Sequence, residues 1–332
     1  MDIIIKSFNR AYYLDRCLFS IFLFVKNFNG KIFILDDGTP QVYLDKIKLK
    51  YPDVIIIKSD NYKQKSKLIE SQNYELPEII PSKLWYEVAK IASDYFIVLE
   101  DDIWFTKQID IARLRRYCEK ENLALLKLFW VSNKKVIGDN VIKQNDDFVI
   151  YKTGIKIKQP IIYKYLYTKH NIIWQKLLRI HGLVSTTQAL KYYTIYSVAG
   201  AIFKKSYFLS IWKNSANKVN EKEQIKNALK YVKDNKVYFG RTNIEVLKTG
   251  FMSSASSKYN YSRFSIHNFN YVLNNFWLSN DSFFSTNLES DLDENKIKDI
   301  LKSNDKSDTY INQWQDWVGN FKQEFRVIGC DI

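Results

Sequence analysis

The stretch Tyr95-Phe96-Ile97-Val98-Leu99-Glu100-Asp101-Asp102 joins an apolar run of strand length directly to three consecutive carboxylates. A continuous rather than alternating apolar run suits a strand covered on both faces, as in a parallel sheet wrapped by helices. Ligands of such sheets sit beyond the carboxyl ends of the strands, so acid at that end is where a metal ion would be held. Ile32 to Gly38 repeats the pattern, with apolar residues ending in Asp36-Asp37-Gly38. The two acidic ends are therefore expected to open onto one crevice, although 64 residues separate Asp37 from Asp101.

Working outward, Ile3-Ile4-Ile5 predicts a first strand, and Tyr12 to Phe28 an apolar-rich helix ended by Asn29-Gly30. Lys31 to Leu35 and Val54 to Ile57 read as strands on either side of a helix near Gln41 to Lys50. Pro81 opens a helix through Ala92, Tyr95 to Leu99 is the fourth strand, and a charged helix near Ile109 to Asn122 leads into the apolar run Leu123 to Val131. A strand over Thr194 to Phe203 precedes helices near Ser206 to Lys213 and Asn220 to Lys233. From Ser253 the chain turns Ser/Asn-rich and ends in a charged helical tail carrying Trp314 and Trp317. The βαβαβ rhythm predicts an α/β fold: a Rossmann-like, mainly parallel sheet flanked by helices, with a helical C-terminal extension.

With 332 residues, 46% of them hydrophobic, the chain has the material for one large core. Its net charge of +14 invites a polyanion-binding reading. The charge is spread along the chain rather than gathered in a block, which leaves a nucleic-acid tail unsupported. Lys, Ile, Asn and Tyr are abundant while Gly (10) and Pro (5) are scarce, a bias that an AT-rich genome produces without selection for polyanions. Cys17, Cys118 and Cys330 are far apart and read as free thiols of a reducing compartment. No apolar stretch approaches the roughly 20 residues needed to cross a bilayer. These features predict a cytoplasmic protein, with rest at the inner face of a membrane left open.

Three carboxylates at the mouth of a buried sheet are costly unless a cation neutralises them. Hard oxygen ligands suit Mg²⁺ or Mn²⁺, with Asp102 as direct ligand and Asp101 and Glu100 assisting. An ordinary Asp-rich turn is the competing reading. Asp36-Asp37-Gly38-Thr39 is likewise either a turn or a carboxylate placed to accept hydrogen bonds from a ribose or a base. Neither GxGxxG nor GxxxxGK[ST] is present, which weakens dehydrogenase and P-loop readings. His170, His181 and His267 lack metal-binding helical spacing.

The opening Ile3-Ile4-Ile5-Lys6-Ser7-Phe8-Asn9-Arg10, followed by Leu14, Cys17-Leu18 and Ser20-Ile21, resembles that of family 2 glycosyltransferases. Lys6, Ser7 and Phe8 stand where those enzymes usually carry Pro-Thr-Tyr, while Asn9-Arg10 matches. Asp36-Asp37-Gly38-Thr39 resembles their Asp-Asp-Gly-Ser, and Glu100-Asp101-Asp102 takes the place of their metal-binding Asp-X-Asp. The Glu-Asp-Asp form is also similar to that of N-acetylglucosaminyltransferase I-like enzymes, which share the GT-A fold. The resemblance covers roughly the first 105 residues.

It implies a GT-A-type fold over residues 1–254, with a nucleotide-sugar half (1–105), an acceptor half (106–254) and an extension (255–332). It further implies a metal-dependent, inverting hexosyltransferase of polysaccharide biosynthesis that uses a UDP- or GDP-sugar. The acceptor would be a hydroxyl of a surface glycan or glycolipid, and nucleic acid would not be a partner. Ser7, Phe8, Arg10 and one of Asp36 or Asp37 would contact the nucleotide, with Lys83 as a basic residue ahead of the metal strand. Val198 to Phe203 would be the acceptor-side strand, followed by a carboxylate base, Glu221 or Glu223. Asn220 with Glu223 also reads as a capping-box helix start. His267 would complete a metal shell. The basic aromatic segment Tyr163 to Arg179 is a lid or acceptor platform, a packing segment or a contact for anionic lipid. The rival functions are a nucleotidyltransferase, whose usual Gly-rich loop is missing from Ser7-Phe8-Asn9-Arg10, and a basic polyanion-binding protein.

Overall fold

A computed structural model describes residues 1–168, 185–256 and 264–332. In chain order its strands are β1 (Asp2–Ser7), β2 (Val25–Lys26), β3 (Ile32–Asp36), β4 (Ile55–Lys58), β5 (Tyr95–Glu100), β6 (Ile103–Phe105) and β7 (Ile109–Asp110). They continue with β8 (Leu123–Lys127), β9 (Asn140–Gln144), β10 (Phe148–Lys152), β11 (Ala201–Lys204), β12 (Tyr238–Thr242) and β13 (Leu247–Thr249). Nine of them form one sheet in the order β4-β3-β1-β5-β11-β8-β12-β10-β9.

The apolar runs are buried on both faces as a doubly covered sheet requires: Ile3, Ile5, Ile34, Leu35, Phe96, Ile97 and Leu99 are fully enclosed. β1 lies parallel between β3 and β5, with Ser7 beside Asp36 and Lys6 beside Glu100. Both acidic clusters thus emerge at the same sheet edge, on strands that flank one neighbour. β11 runs antiparallel to both β5 and β8, and its Ala201 pairs with Val98 on one side and Lys127 on the other. β8 therefore runs in the direction of β5 and brings its carboxyl end, Lys127, to the same edge. The result is an α/β fold with a mixed sheet whose first four strands, β4, β3, β1 and β5, are parallel.

Three local readings change. The first helix is Ala11–Phe24 and stops short of Phe28, because Val25–Lys26 leaves it to pair with β7. The expected strand Thr194 to Phe203 is a 3-10 turn, Tyr192–Ile195, followed by a short strand that begins at Ala201. Gly200 separates them at a φ of +69, a left-handed conformation that an extended run does not contain. The Ser/Asn-rich segment contains a helix, Ile266–Ser279, in which Asn270 and Asn274 are fully buried.

Those asparagines tie the C-terminal segment to the first helix. Asn274 accepts a hydrogen bond from the Ala11 N–H at 2.8 Å and donates to the Asn9 carbonyl at 3.0 Å. Asn270 accepts from the Tyr12 hydroxyl at 2.9 Å. The Trp277 indole donates to Asp15 at 2.9 Å, and the Arg16 guanidinium donates to backbone carbonyls between Phe284 and Ser290. The long helix Asp308–Ile328 adds Trp314, whose indole donates to the Met252 carbonyl at 3.0 Å. Among the described residues no helix is long and apolar enough to cross a membrane, and all three cysteines are buried free thiols.

Asn274→Ala strands the Ala11 N–H and the Asn9 carbonyl in a dry interior, where each unmade bond costs about 1–3 kcal/mol. Thermal denaturation should show a clearly lowered Tm, whereas a Tm equal to that of the parent would mean that the amide carries no load.

Candidate active site

The carboxyl end of β1 turns abruptly at Asn9, whose φ of 52 lies in the left-handed region that Asn tolerates better than most side chains. The Asn9 N–H is received by Thr39 Oγ1 at 2.8 Å, and the Phe8 N–H by Asp101 Oδ2 at 3.0 Å. The turn directs Arg10 into the acidic triplet. Its guanidinium forks across Asp101 Oδ1 and Asp102 Oδ2, the latter at 2.6 Å. On the other side Lys6 Nζ lies 2.7 Å from Glu100 Oε1, donates to the Val198 carbonyl at 3.2 Å and sits 4.5 Å above the Trp85 ring.

Two buried cations thus face three carboxylates and leave one formal negative charge. Protein cations supply part of the neutralisation expected of a metal ion, and Arg10, expected to contact a nucleotide, lines the cavity while paired with the acids. Burial pushes the Glu100 carboxyl up, but the Lys6 and Arg10 charges outweigh it and hold it below the usual carboxylate range. Burial raises Asp101 despite Arg10, and it raises Asp102 to about 7, with Asp101 and Glu100 adding to the push. Asp102 Oδ1 is buried and has no hydrogen-bond partner among the described residues.

The second acidic end divides its labour. Asp36 is fully buried and accepts from the Gly38 N–H, the Thr39 N–H and the Thr39 hydroxyl at 3.0, 2.8 and 2.6 Å, so it shapes the turn. Burial pushes its carboxyl up to about 6. Asp37 instead faces outward to Lys65 Nζ and Ser59 Oγ, each at 2.5 Å. Between them Gly38, at a φ of +140, lets the loop pass so close to the helix Tyr62–Glu70 that an added Cβ would lie 2.5 Å from Lys65 Cβ.

A cavity of about 750 Å³ opens at this edge. Ser7, Phe8, Arg10, Asp37, Glu100, Asp101, Asp102 and His267 line it, so the two acidic strand ends share one chamber. Asp36, Lys83, Glu221 and Glu223 are not on its wall. Lys83 is exposed at the start of the helix Ser82–Ile91, and the buried basic position beside Asp37 belongs to Lys65. Glu223 occupies the first turn of the helix Glu221–Asp234, where its N–H bonds the Asn220 side chain and its carboxylate pairs with Lys226. Glu221 reaches the cavity only through Tyr193, a wall residue whose hydroxyl donates to Glu221 Oε2 at 2.5 Å.

His267 packs edge-on against Phe8, with ring centroids 5.8 Å apart, and its buried Nδ1 has no partner among the described residues. Burial and the nearby Lys65 charge lower its pKa to about 4, so it is neutral at physiological pH. Among the described residues no three His, Cys, Asp or Glu side chains converge as a self-sufficient metal site. Mg²⁺ is characteristically bound by one or two carboxylates plus substrate phosphates and water, and the orphaned Asp102 oxygen suits that mode. His170 and His181, with most of the Tyr163 to Arg179 segment, lie outside the described residues.

Three wall residues escaped the sequence reading. Lys65 shares a helical stripe with the buried Tyr62, Ser66 and Ile69, a spacing that marks it as inward-facing. Lys127 interrupts the apolar run Leu123 to Val131 at the carboxyl end of its strand, the position where the acids were noticed. Tyr193 carried no sequence signal.

No protein-family model matches the chain, and no curated protein matches it. Among solved structures the chain is similar to S. aureus TarS 1-349, at 9% identity and a TM-score of 0.40, with 97% of this chain and 91% of that one covered. It spans 43% of the longer S. aureus TarS chain. It is also similar to the galactosyltransferase LgtC in complex with donor and acceptor sugar analogues, at 12% identity, a TM-score of 0.34, and coverage of 69% and 70% of the two chains. Mouse xyloside xylosyltransferase 1 gives 9% identity, a TM-score of 0.27, and coverage of 64% and 71%. Likenesses at these scores say nothing about substrate or reaction.

The raised Asp102 carboxyl has a definite pH consequence. A carboxyl that holds its proton more tightly folded than unfolded stabilises the protein at low pH, and this contribution is lost as pH rises toward about 7. A cation needs the deprotonated form, so stabilisation by Mn²⁺ should grow as pH rises through that value. Thermal shifts with and without Mn²⁺ across this range check both slopes, and Asp102→Asn should flatten them. A Mn²⁺ effect that is equal at pH 5.5 and pH 8, or absent throughout, would reject Asp102 as the ligand.

Proposed function

We propose that the chain is a metal-dependent glycosyltransferase of the GT-A type, moving a sugar from a UDP- or GDP-linked donor to a hydroxyl of a glycan or glycolipid. The observation that carries this reading is the meeting of Asp37 and the Glu100-Asp101-Asp102 triplet on one cavity, with a single carboxylate oxygen of Asp102 left unpaired. Asp37, held by Lys65 and Ser59, presents acceptor oxygens for the nucleoside, while Ser7 and Phe8 form the adjoining wall. Lys6 and Arg10 fix the acids and leave Asp102 Oδ1, on a residue of the cavity wall, without a partner among the described residues. A Mn²⁺ or Mg²⁺ ion held by Asp102, with His267 as a further donor, would supply positive charge to the departing diphosphate.

Transfer with inversion requires the acceptor oxygen to attack the anomeric carbon as the bond from that carbon to the phosphate oxygen breaks. The acceptor's proton then needs a base. In this reading it passes to the Tyr193 oxygen as Tyr193 gives its own proton to Glu221, a route that the 2.5 Å hydrogen bond supports. The basic side chains at the cavity also favour an enzyme over a polyanion-binding protein, because Lys6, Arg10 and Lys65 are buried in ion pairs instead of forming an exposed stripe. Contact with a membrane surface belongs to the same reading. Ile161 and Ile162, 84% and 48% exposed on the helix Pro160–Thr168, offer it apolar side chains.

UDP or GDP should raise the Tm in a Mn²⁺-enhanced manner, since a ligand that binds only the folded state stabilises by mass action. Asp102→Ala should abolish the enhancement, and failure of both nucleotides to shift the wild-type Tm would overturn the assignment.

Glu221→Gln and Tyr193→Phe should each cut turnover by about 10²–10⁴-fold with little change in nucleotide affinity. A loss confined to Glu223→Gln would return the base to that residue.

A further inference from the structure

Lys127 is the buried charge at this edge that the mechanism leaves unused. It is 3% exposed, stands on the cavity wall and donates to the Tyr196 carbonyl at 3.1 Å. Lys6, Arg10 and Lys65 each have a carboxylate partner there, whereas Lys127 forms no ion pair among the described residues. The undescribed segments contain no Asp or Glu that could supply one. An ammonium group enclosed without a counter-ion is expensive to keep, and such groups concentrate where a ligand brings the missing charge. Burial alone lowers its pKa, to about 7.

Its place in the sheet indicates which ligand. The order β5-β11-β8 puts the antiparallel β11 between the Asp102 strand and Lys127, a lateral offset of roughly 10 Å at ordinary strand spacing. Lys6 and Lys127 bracket the segment Tyr196–Val198, each bonding one of its carbonyls, but Lys6 faces the donor side and is already paired. Beyond Lys127 the wall continues into Phe129 and Trp130, whose aromatic faces suit sugar rings.

We propose that Lys127 binds a carboxylate or phosphate carried by the acceptor, so that the acceptor is an acidic or phosphate-bearing glycan or glycolipid. The word acceptor rests on the glycosyltransferase reading; the anion site does not. The charged and titratable groups around Lys127 are the phenols of Tyr193 and Tyr196, both driven upward by burial, and Arg241. Arg241 is its register partner on β12, held by the Thr242 and Asn243 carbonyls. Glu100, across β11, is tied to Lys6. Asp102, beyond Glu100 on the same cavity, also changes charge near neutrality, and the Lys127 variants separate its contribution from that of the ammonium.

Sulfate, whose own charge is constant over this range, is the probe. Its affinity is measured calorimetrically at fixed ionic strength, with and without UDP or GDP plus Mn²⁺. Wild type should bind sulfate in both conditions, more weakly as pH rises through about 7 because the ammonium loses its proton. Lys127→Met should weaken sulfate at least about ten-fold while nucleotide affinity holds. It should leave the Tm unchanged or raised, since it removes a buried charge. Lys127→Arg should retain sulfate binding with a clearly shallower pH dependence, leaving the part that Asp102 contributes, which also keeps the test decisive if the Met variant misfolds.

Displacement of sulfate by the nucleotide would overturn the proposal by assigning Lys127 to the donor phosphates, as would unchanged sulfate affinity in Lys127→Met. If no nucleotide binds to wild type, the glycosyltransferase reading fails, while the sulfate measurements still decide the anion site.

Discussion

The guanidinium of Arg10, forked across Asp101 and Asp102, is the interaction on which the rest of this structure depends. Arg10 and Asp101 are buried and Asp102 nearly so, and removing one partner of a buried pair typically costs about 3–5 kcal/mol. Its geometry requires Asn9 to turn the chain and Asp101 to receive the Phe8 N–H. With Lys6 on Glu100, it converts a repulsive acidic triplet into a cluster with one buried oxygen, Asp102 Oδ1, left unpaired among the described residues. A generic acidic turn would have left its carboxylates in solvent.

That cluster stands because the C-terminal segment, from the helix Ile266–Ser279 onward, closes over the turn that makes it. Asn274 satisfies the backbone on both sides of Arg10, and Asn270, Trp277 and the carbonyls around Phe284 to Ser290 secure the first helix one turn at a time. These are polar contacts in a dry interior, directional in a way that apolar packing is not. The extension therefore sets the position of Arg10 as well as adding to the core, and His267 joins the cavity wall from the same helix.

Much of this was legible along the chain. Ile3 to Ile5, Ile32 to Leu35 and Phe96 to Leu99 are doubly covered strands, and a period of unbroken apolar residues is the direct trace of that burial. The acidic clusters were visible because a charge placed immediately after such a run has few places to go. Lys65 and Lys127 were equally readable in principle, as lone cations on an inward stripe and inside an apolar strand. The helix Ile266–Ser279 was hidden because its buried asparagines look like loop residues until their partners, far away in the chain, are known.

Local pattern by itself determined the strands β1, β3, β4 and β5, that two of them end in acid, and that the chain holds enough apolar surface to bury them. Only the tertiary structure decided what each acid does. Asp36 shapes a turn while Asp37 faces the cavity, Glu223 pairs with Lys226 while Glu221 reaches the wall through Tyr193, and Lys83 stays outside while Lys65 goes in. The physical reason is that a carboxylate's role follows from its partners and its access to water. Both are set by strand order and by contacts between residues that the linear chain keeps far apart.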